Sequence, residues 1–219
     1  MQHDNLITGP SLNSQVNNPE ILIIFLHGWG SNGDDLIQLA PFFSDSFPNA
    51  HFLSPNGPED CPQNPFGGKQ WFGLDFNNDG SINRTNMPKK VIAASNQVNN
   101  FITFWQKKLS ISAKNIFLIG FSQGSMVALE TGSKNKIGGL LCYSGSFINN
   151  NYNLTKEHKI MLIHGELDET IPIDNMKKAK NDLLELGADV DSYNCKNLGH
   201  SINEEGIKIG IEFIKRCKK

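Results

Sequence analysis

Gly120-Phe121-Ser122-Gln123-Gly124 reads G-x-S-x-G, a pattern in which a serine sits on a sharp strand-to-helix bend with its hydroxyl exposed. Glycines two before and two after the serine let neighbouring backbone approach where a Cβ would clash. The flanks agree with that reading: residues 115–119 (Asn-Ile-Phe-Leu-Ile) form a buried-strand pattern, and residues 125–130 (Ser-Met-Val-Ala-Leu-Glu) read as a helix start. A serine hydroxyl is a weak nucleophile, so it needs a histidine to take its proton and a carboxylate to orient that imidazole. Behind such an elbow the chain order is serine, acid, histidine. His158, His164 and His200 follow Ser122. His158 precedes the strand at 159–163 and His164 ends it before any eligible acid, which leaves His200, in the glycine-bearing loop Leu198-Gly199-His200-Ser201. The acid belongs in the preceding loop, His164-Gly165-Glu166-Leu167-Asp168-Glu169, where Asp168 lies mid-loop, Glu166 close to the strand end and Glu169 next to a helix. Ser122, Asp168 and His200 are therefore the expected nucleophile, acid and base, with His164 expected to pack at the strand end or brace the loop.

Chemistry at an acyl carbon also needs donors for the developing oxyanion. The backbone N–H of Gln123 opens a helix, where unpaired amides and the helix dipole favour negative charge. A second donor is expected from the loop after the first core strand, Leu26-His27-Gly28-Trp29-Gly30, through the backbone N–H of Trp29, with His27 as a packed turn residue.

The elements that must hold these groups alternate along the chain. Short apolar, β-branched runs at 21–26, 50–53, 115–119, 137–143, 159–163 and 190–195 are interleaved with helical periodicity at 91–109, 172–186 and 203–215. This predicts an α/β fold, a mostly parallel central sheet with helices on both faces, as a single domain over 1–219 with no internal repeat or linker. The segment 61–88 is too long for an ordinary connection. It carries Trp71, Phe72 and Phe76, so part of it should fold back onto the body.

A formal net charge of −2 leaves no basic field for a polyanion, so nucleic acid is not expected as a partner. The most apolar run, six residues at 21–26, is far too short to cross a bilayer, so stable membrane insertion is not expected. The amino-terminal residues lack the cationic-then-apolar pattern of an export signal. Cys61, Cys142, Cys195 and Cys217 are scattered without metal-type spacing, which fits a reducing cytoplasm. No metal set and no phosphate-binding loop is expected.

The four motifs taken together, Leu26-His27-Gly28-Trp29-Gly30, Gly120 to Ser125, His164-Gly165-x-x-Asp168 and Gly199-His200, resemble the bacterial carboxylesterase/phospholipase family that includes acyl-protein thioesterases. The resemblance covers almost the whole chain. It implies a small α/β-hydrolase fold without a large cap, acting without a cofactor on short- to medium-chain esters, lysophospholipids or acyl thioesters. Small-molecule substrates follow from it, and a homodimer is left open. In two places the chain departs from the family pattern. Ser125 stands where a second glycine is usual, which would bring an extra hydroxyl near the site. Trp71-Phe72-Gly73-Leu74-Asp75 lacks an Asp directly after the second aromatic. Trp71 and Phe72 are the expected substrate-binding residues, one apolar wall for the acyl chain. The rival readings are a dienelactone-hydrolase-like or peptidase-like enzyme of the same fold, weakened respectively by Ser rather than Cys at 122 and by the lack of a large insertion, and an inactive binding module, which an active-site phosphonate would leave unlabelled.

Overall fold

Ile21–Leu26 (β2) is apolar at all six positions and buried at all six, as a strand covered on both faces must be. Ala50–Leu53 (β3), Ile116–Phe121 (β4), Gly139–Tyr143 (β5) and Lys159–Gly165 (β6) share that character, and with Ser11–Leu12 (β1) and Asp189–Cys195 (β7) they build one seven-stranded sheet. Its order is β1-β3-β2-β4-β5-β6-β7, with every pair parallel except β1 against β3. The computed structural model describes residues 6–148 and 152–218.

Successive side chains on a strand point to opposite faces, and the sheet therefore feeds two cores. Leu22, Ile24 and Leu26 join Leu118, Leu140 and Leu162 on one face. There they meet Val91, Val98 and Ile102 of Met87–Leu109 (α1), Val127 and Leu129 of Gln123–Ser133 (α2), and Met176 and Leu183 of Asp174–Glu185 (α3). Ile21, Ile23 and Phe25 face the other way with Ile119, Leu141 and Ile163, under Phe43, Phe47 and the Phe213–Ile214 face of Glu204–Cys217 (α4). Helices thus cover both faces, as the alternating pattern predicts.

The boundaries differ from expectation where the signals are weakest. Helix α1 begins at Met87, four residues early, because Pro88 occupies its first turn, where a missing N–H costs nothing. Helix α3 begins at Asp174 rather than at Pro172. The expected strand over 137–143 loses Ile137 and Gly138, and β1 was not anticipated: two exposed residues carry no period. The segment 61–88 is tied down by two short antiparallel ribbons, Glu59–Asp60 with Lys69–Gln70 and Asp75–Phe76 with Ile82–Asn83. The second is pinned to α1 by the Lys90 ammonium, which donates to the Gly73 carbonyl at 2.8 Å and the Asp75 carboxylate at 2.7 Å. Among the described residues no helix is long and apolar enough to cross a membrane.

Candidate active site

All the chemically interesting loops leave the carboxyl ends of parallel strands, the edge at which open α/β sheets bind ligands. The Ser122 turn follows β4, the glycine-rich loop follows the adjacent β2, the Asp168 loop follows β6 and the His200 loop follows the edge strand β7.

Ser122 holds φ 53° and ψ −115°, a conformation an L-residue adopts only under constraint, between the end of β4 and the first residue of α2. The constraint is visible. The Ser122 N–H donates to the Tyr143 carbonyl at 2.9 Å, and a Cβ at Gly124 would run into the Leu26 and His27 carbonyls at the end of β2. Glycine at 124 is what lets the helix start lie directly on the neighbouring strand. The Ser125 hydroxyl lies 2.7 Å from both the Gly120 and the Tyr143 carbonyls, and the residue is fully buried. The extra hydroxyl is thus a staple behind the elbow rather than a group near the substrate, and the expectation of a new polar contact at the site is corrected.

His200 stands with Nδ1 2.8 Å from Asp168 Oδ2 and its ring 4.8 Å from that of Phe121, the residue before Ser122. Since a carboxylate accepts only, Nδ1 carries the proton and Nε2 is left as the basic nitrogen. The other oxygen of Asp168 accepts from the Thr170 and Ile171 N–H groups at 3.0 and 2.8 Å. Burial of Asp168 opposes its ionisation, but the Ile171 amide and the His200 imidazole outweigh that and hold its pKa below the ordinary carboxylate value. The buried Ser144 hydroxyl acts in the same direction, although it makes no hydrogen bond of normal geometry. Exposure is graded: the Asp168 side chain is sealed at 0 %, whereas that of His200 is 21 % exposed. The acid and histidine loops are sewn together by Leu167 N–H to the Leu198 carbonyl at 2.8 Å and Glu166 N–H to the Cys195 carbonyl at 3.0 Å.

The glycine-rich loop passes over Ser122. A Cβ at Gly28 would stand 3.4 Å from the Ser122 Cβ and 3.1 Å from the Phe121 ring. His27 Nδ1 lies 2.8 Å from the Gly28 carbonyl, while its Nε2 accepts from the Gly57 N–H at 2.8 Å, so the proton sits on Nδ1 and is donated to Gly28. Gly28 C=O and Trp29 N–H belong to one planar trans peptide and point in opposite directions. Tying the carbonyl back to His27, with help from the Ser31 N–H at 3.2 Å, therefore turns the Trp29 N–H outward. The Trp29 indole is occupied elsewhere, donating to Gln70 Oε1 at 2.7 Å. Both Trp29 N–H and Gln123 N–H lack a backbone partner among the described residues. Two such donors beside a strained serine are suited to a tetrahedral oxyanion.

Trp71 and Phe72 are 1 % and 3 % exposed, and neither offers an acyl chain a surface. Their backbone and ring are used internally: the Gln123 side chain accepts from Trp71 N–H at 2.9 Å and donates to the Phe72 carbonyl at 2.8 Å, and the Trp71 indole donates to the His27 carbonyl at 2.9 Å. The expected wall is a brace that locks the long loop onto the elbow. Sequence reasoning missed the Gln123 side chain and Phe121 because both roles are long-range contacts that leave no local period. The signal available was an amide directly after the nucleophile, with a Trp-Phe pair in the long loop to receive it.

Burial lowers the pKa of both His27 and His164 below 6.5. The unfolded chain takes up those protons as pH falls through about 6.5 while the folded chain does not, so their contribution to stability is complete above that value and lost below it. Each contributes at most about 1.4 kcal/mol per pH unit, before solvent screening. Asp168, with its pKa lowered, adds loss only further down, in the carboxylate range. The melting temperature is expected to fall between pH 6.5 and 5 and to stay level above 7. A level melting temperature down to pH 5 would contradict the buried neutral assignment.

A seven-stranded, mostly parallel sheet with a serine elbow at one strand end, and acid and histidine loops at later ones, defines an α/β hydrolase. A profile of the phospholipase/carboxylesterase family matches residues 8–218, and the chain belongs to that family of carboxylic-ester hydrolases. It is 26% identical over 218 residues to Esterase YpfH of Escherichia coli, covering 98% of this chain and 89% of that protein. It is 28% identical over 205 residues to acyl-protein thioesterase 1 homolog 1 of Dictyostelium discoideum, covering 89% of each. Among solved structures, esterase PE8 superposes with a TM-score of 0.89 at 30% identity, over 97% of this chain and 100% of that one.

Proposed function

We propose that the chain cleaves short- to medium-chain carboxylic esters or thioesters through an acyl-enzyme on Ser122, as one catalytic domain and without a cofactor. The observation that carries this reading is the 2.8 Å pair between His200 Nδ1 and the sealed Asp168, with the His200 ring seated on the residue before the strained serine. His200 Nε2 takes the Ser122 proton as Oγ bonds to the acyl carbon, and the carbonyl oxygen becomes an anion received by the Trp29 and Gln123 N–H groups. Collapse breaks the bond to the alcohol or thiol, which leaves with the proton from the His200 imidazolium. Water then attacks the acyl-enzyme, giving its proton to His200, and the carboxylic acid departs as Ser122 recovers its hydrogen. Four unpaired cysteines, three of them buried, support a reducing, cytoplasmic setting.

Segment 61–88 is pinned in place, and Leu167, beside Asp168, is 60 % exposed. Activity is expected to rise from acetyl to about six or eight acyl carbons, at no more than about 0.8 kcal/mol for each methylene covered, and then level off. Leu167→Ser should flatten that series while sparing acetyl esters. Trp71→Ala should depress every chain length alike, because it loosens the loop under Trp29. The test is kcat/KM over a p-nitrophenyl ester series for the three proteins. A steady rise to long-chain substrates, or a series flattened by the Trp71 change and not by the Leu167 change, would overturn the assignment of the mouth.

A further inference from the structure

A second imidazole reaches the catalytic carboxylate. His164, the last residue but one of β6, is 1 % exposed in its side chain, and its Nε2 stands 2.7 Å from the Ile171 carbonyl and 3.3 Å from Asp168 Oδ2. The Ile171 carbonyl is an acceptor, so Nε2 carries the proton and donates it there, while Asp168 Oδ2 lies beside the same N–H as an electrostatic neighbour. The oxygen it approaches is the one bonded to His200 Nδ1, whereas the Thr170 and Ile171 amides hold the other. We propose that His164 is a positioning residue for the reaction: its Nε2–H holds the Ile171 carbonyl, and through Ile171, whose N–H holds Asp168, it keeps the carboxylate in the orientation that aims His200 at Ser122.

Three features of the surroundings bear on this. The Asp168 carboxylate takes the Thr170 and Ile171 amides on one oxygen and His200 on the other, so its orientation depends on where the 170–171 turn is held. The Ile171 residue is used from both sides, its N–H given to Asp168 and its carbonyl taken by His164, so the same imidazole fixes the loop that the carboxylate depends on. The charged groups facing His164 are Asp168 and His200, and the packing across from it is Leu129, Leu162, Met176, Ala179 and Cys142, whose thiol burial keeps neutral. Burial likewise keeps His164 itself neutral, so it donates a hydrogen bond without placing a second positive charge beside the His200 imidazolium.

This inference rests on the triad reading, and the experiment separates the two. His164→Leu removes the donor and leaves an apolar side chain in an apolar pocket; His164→Gln places an amide N–H where Nε2–H stood. The Leu variant is expected to lose about tenfold in kcat, the upper scale of one net hydrogen bond, with KM within about twofold. Its acid limb of kcat/KM should move to higher pH, because Asp168 Oδ2 then bears on His200 alone. The Gln variant should recover kcat to within about threefold of the parent. A residue that merely packs would leave both kcat and the acid limb of the folded Leu variant unchanged, and that result overturns the proposal. So does a folded Gln variant as slow as the Leu variant. If the Leu variant does not fold, imidazole 15N shifts of the parent protein decide: Nε2–H on His164 from pH 5.5 to 8 supports the donation to Ile171 on which the proposal rests, and Nδ1–H refutes it. Failure of the triad itself would show differently, as activity surviving in Ser122→Ala.

Discussion

Ser122→Ala is expected to lower kcat for ester hydrolysis by about a million-fold and to abolish labelling by a fluorophosphonate probe, leaving the melting temperature within a few degrees of the parent. The size follows from the way nucleophile, base and acid act as one unit: without Oγ there is nothing for His200 to deprotonate, and only the oxyanion donors and binding remain to accelerate attack by water. The fold should tolerate the change. Ser122 is held by its backbone, through the N–H to Tyr143 and the packing of Gly124 on β2, and alanine keeps both. Release from an elbow conformation that costs on the order of 1–3 kcal/mol is not expected, since the same φ is imposed on any residue placed there. Labelling that persists on another serine would show that the nucleophile had been misassigned.

His200→Ala is expected to cost a similar factor, about a million-fold in kcat, while Asp168→Asn costs about ten-thousand-fold. The asymmetry has a structural cause. In the proposed reaction, removing the imidazole deletes the group that carries the proton from Ser122 to the leaving alcohol or thiol. Asparagine at 168 keeps the shape of the carboxyl but can turn an N–H toward His200 Nδ1, which then holds the wrong tautomer and presents Nε2–H to the serine. The Asn variant should therefore bind substrate with a KM close to that of the parent and fail in turnover. Stopped-flow acylation with a p-nitrophenyl ester separates the two steps. An Asp168→Asn enzyme within tenfold of the parent, or a Glu166→Gln enzyme slower than it, would move the acid to another carboxylate of the same loop.

Much of the site was legible before any coordinates because its parts are local. A serine between two glycines, preceded by an apolar run and followed by a helical one, specifies a strand, a bend and a helix within about fifteen residues, and α2 does begin at Gln123. His-Gly-x-x-Asp places a carboxylate in a loop directly after a strand, and β6 does end at Gly165. The helix over 203–215 was visible from its apolar spacing, and its cap explains its start: Asn203 accepts from the Gly206 N–H at 2.9 Å, with Glu204 and Glu205 in the first turn and Lys215 and Arg216 in the last. The long segment was harder. Its two ribbons are two residues each, too short for any period to register, and their hold comes from partners such as Lys90 in a different element.

Patterns of burial, glycine placement and chain order over a few residues set the order of strands and helices, the bend at Ser122, the loops that carry Asp168 and His200, and the membership of Trp29 and Gln123 in two turns. Which groups touch follows from the packed chain. Whether Trp71 faces substrate or core depends on the Gln123 side chain, fifty-two positions away, and on the His27 carbonyl, forty-four away. Whether Ser125 points at the site or behind it depends on how close β5 runs to the elbow. Whether His164 stands idle or against Asp168 depends on the turn made by Thr170 and Ile171. Hydrogen bonds weaken steeply over a few tenths of an ångström and with small changes of angle, and at those separations along the chain it is strand order and packing, rather than local composition, that set the distance.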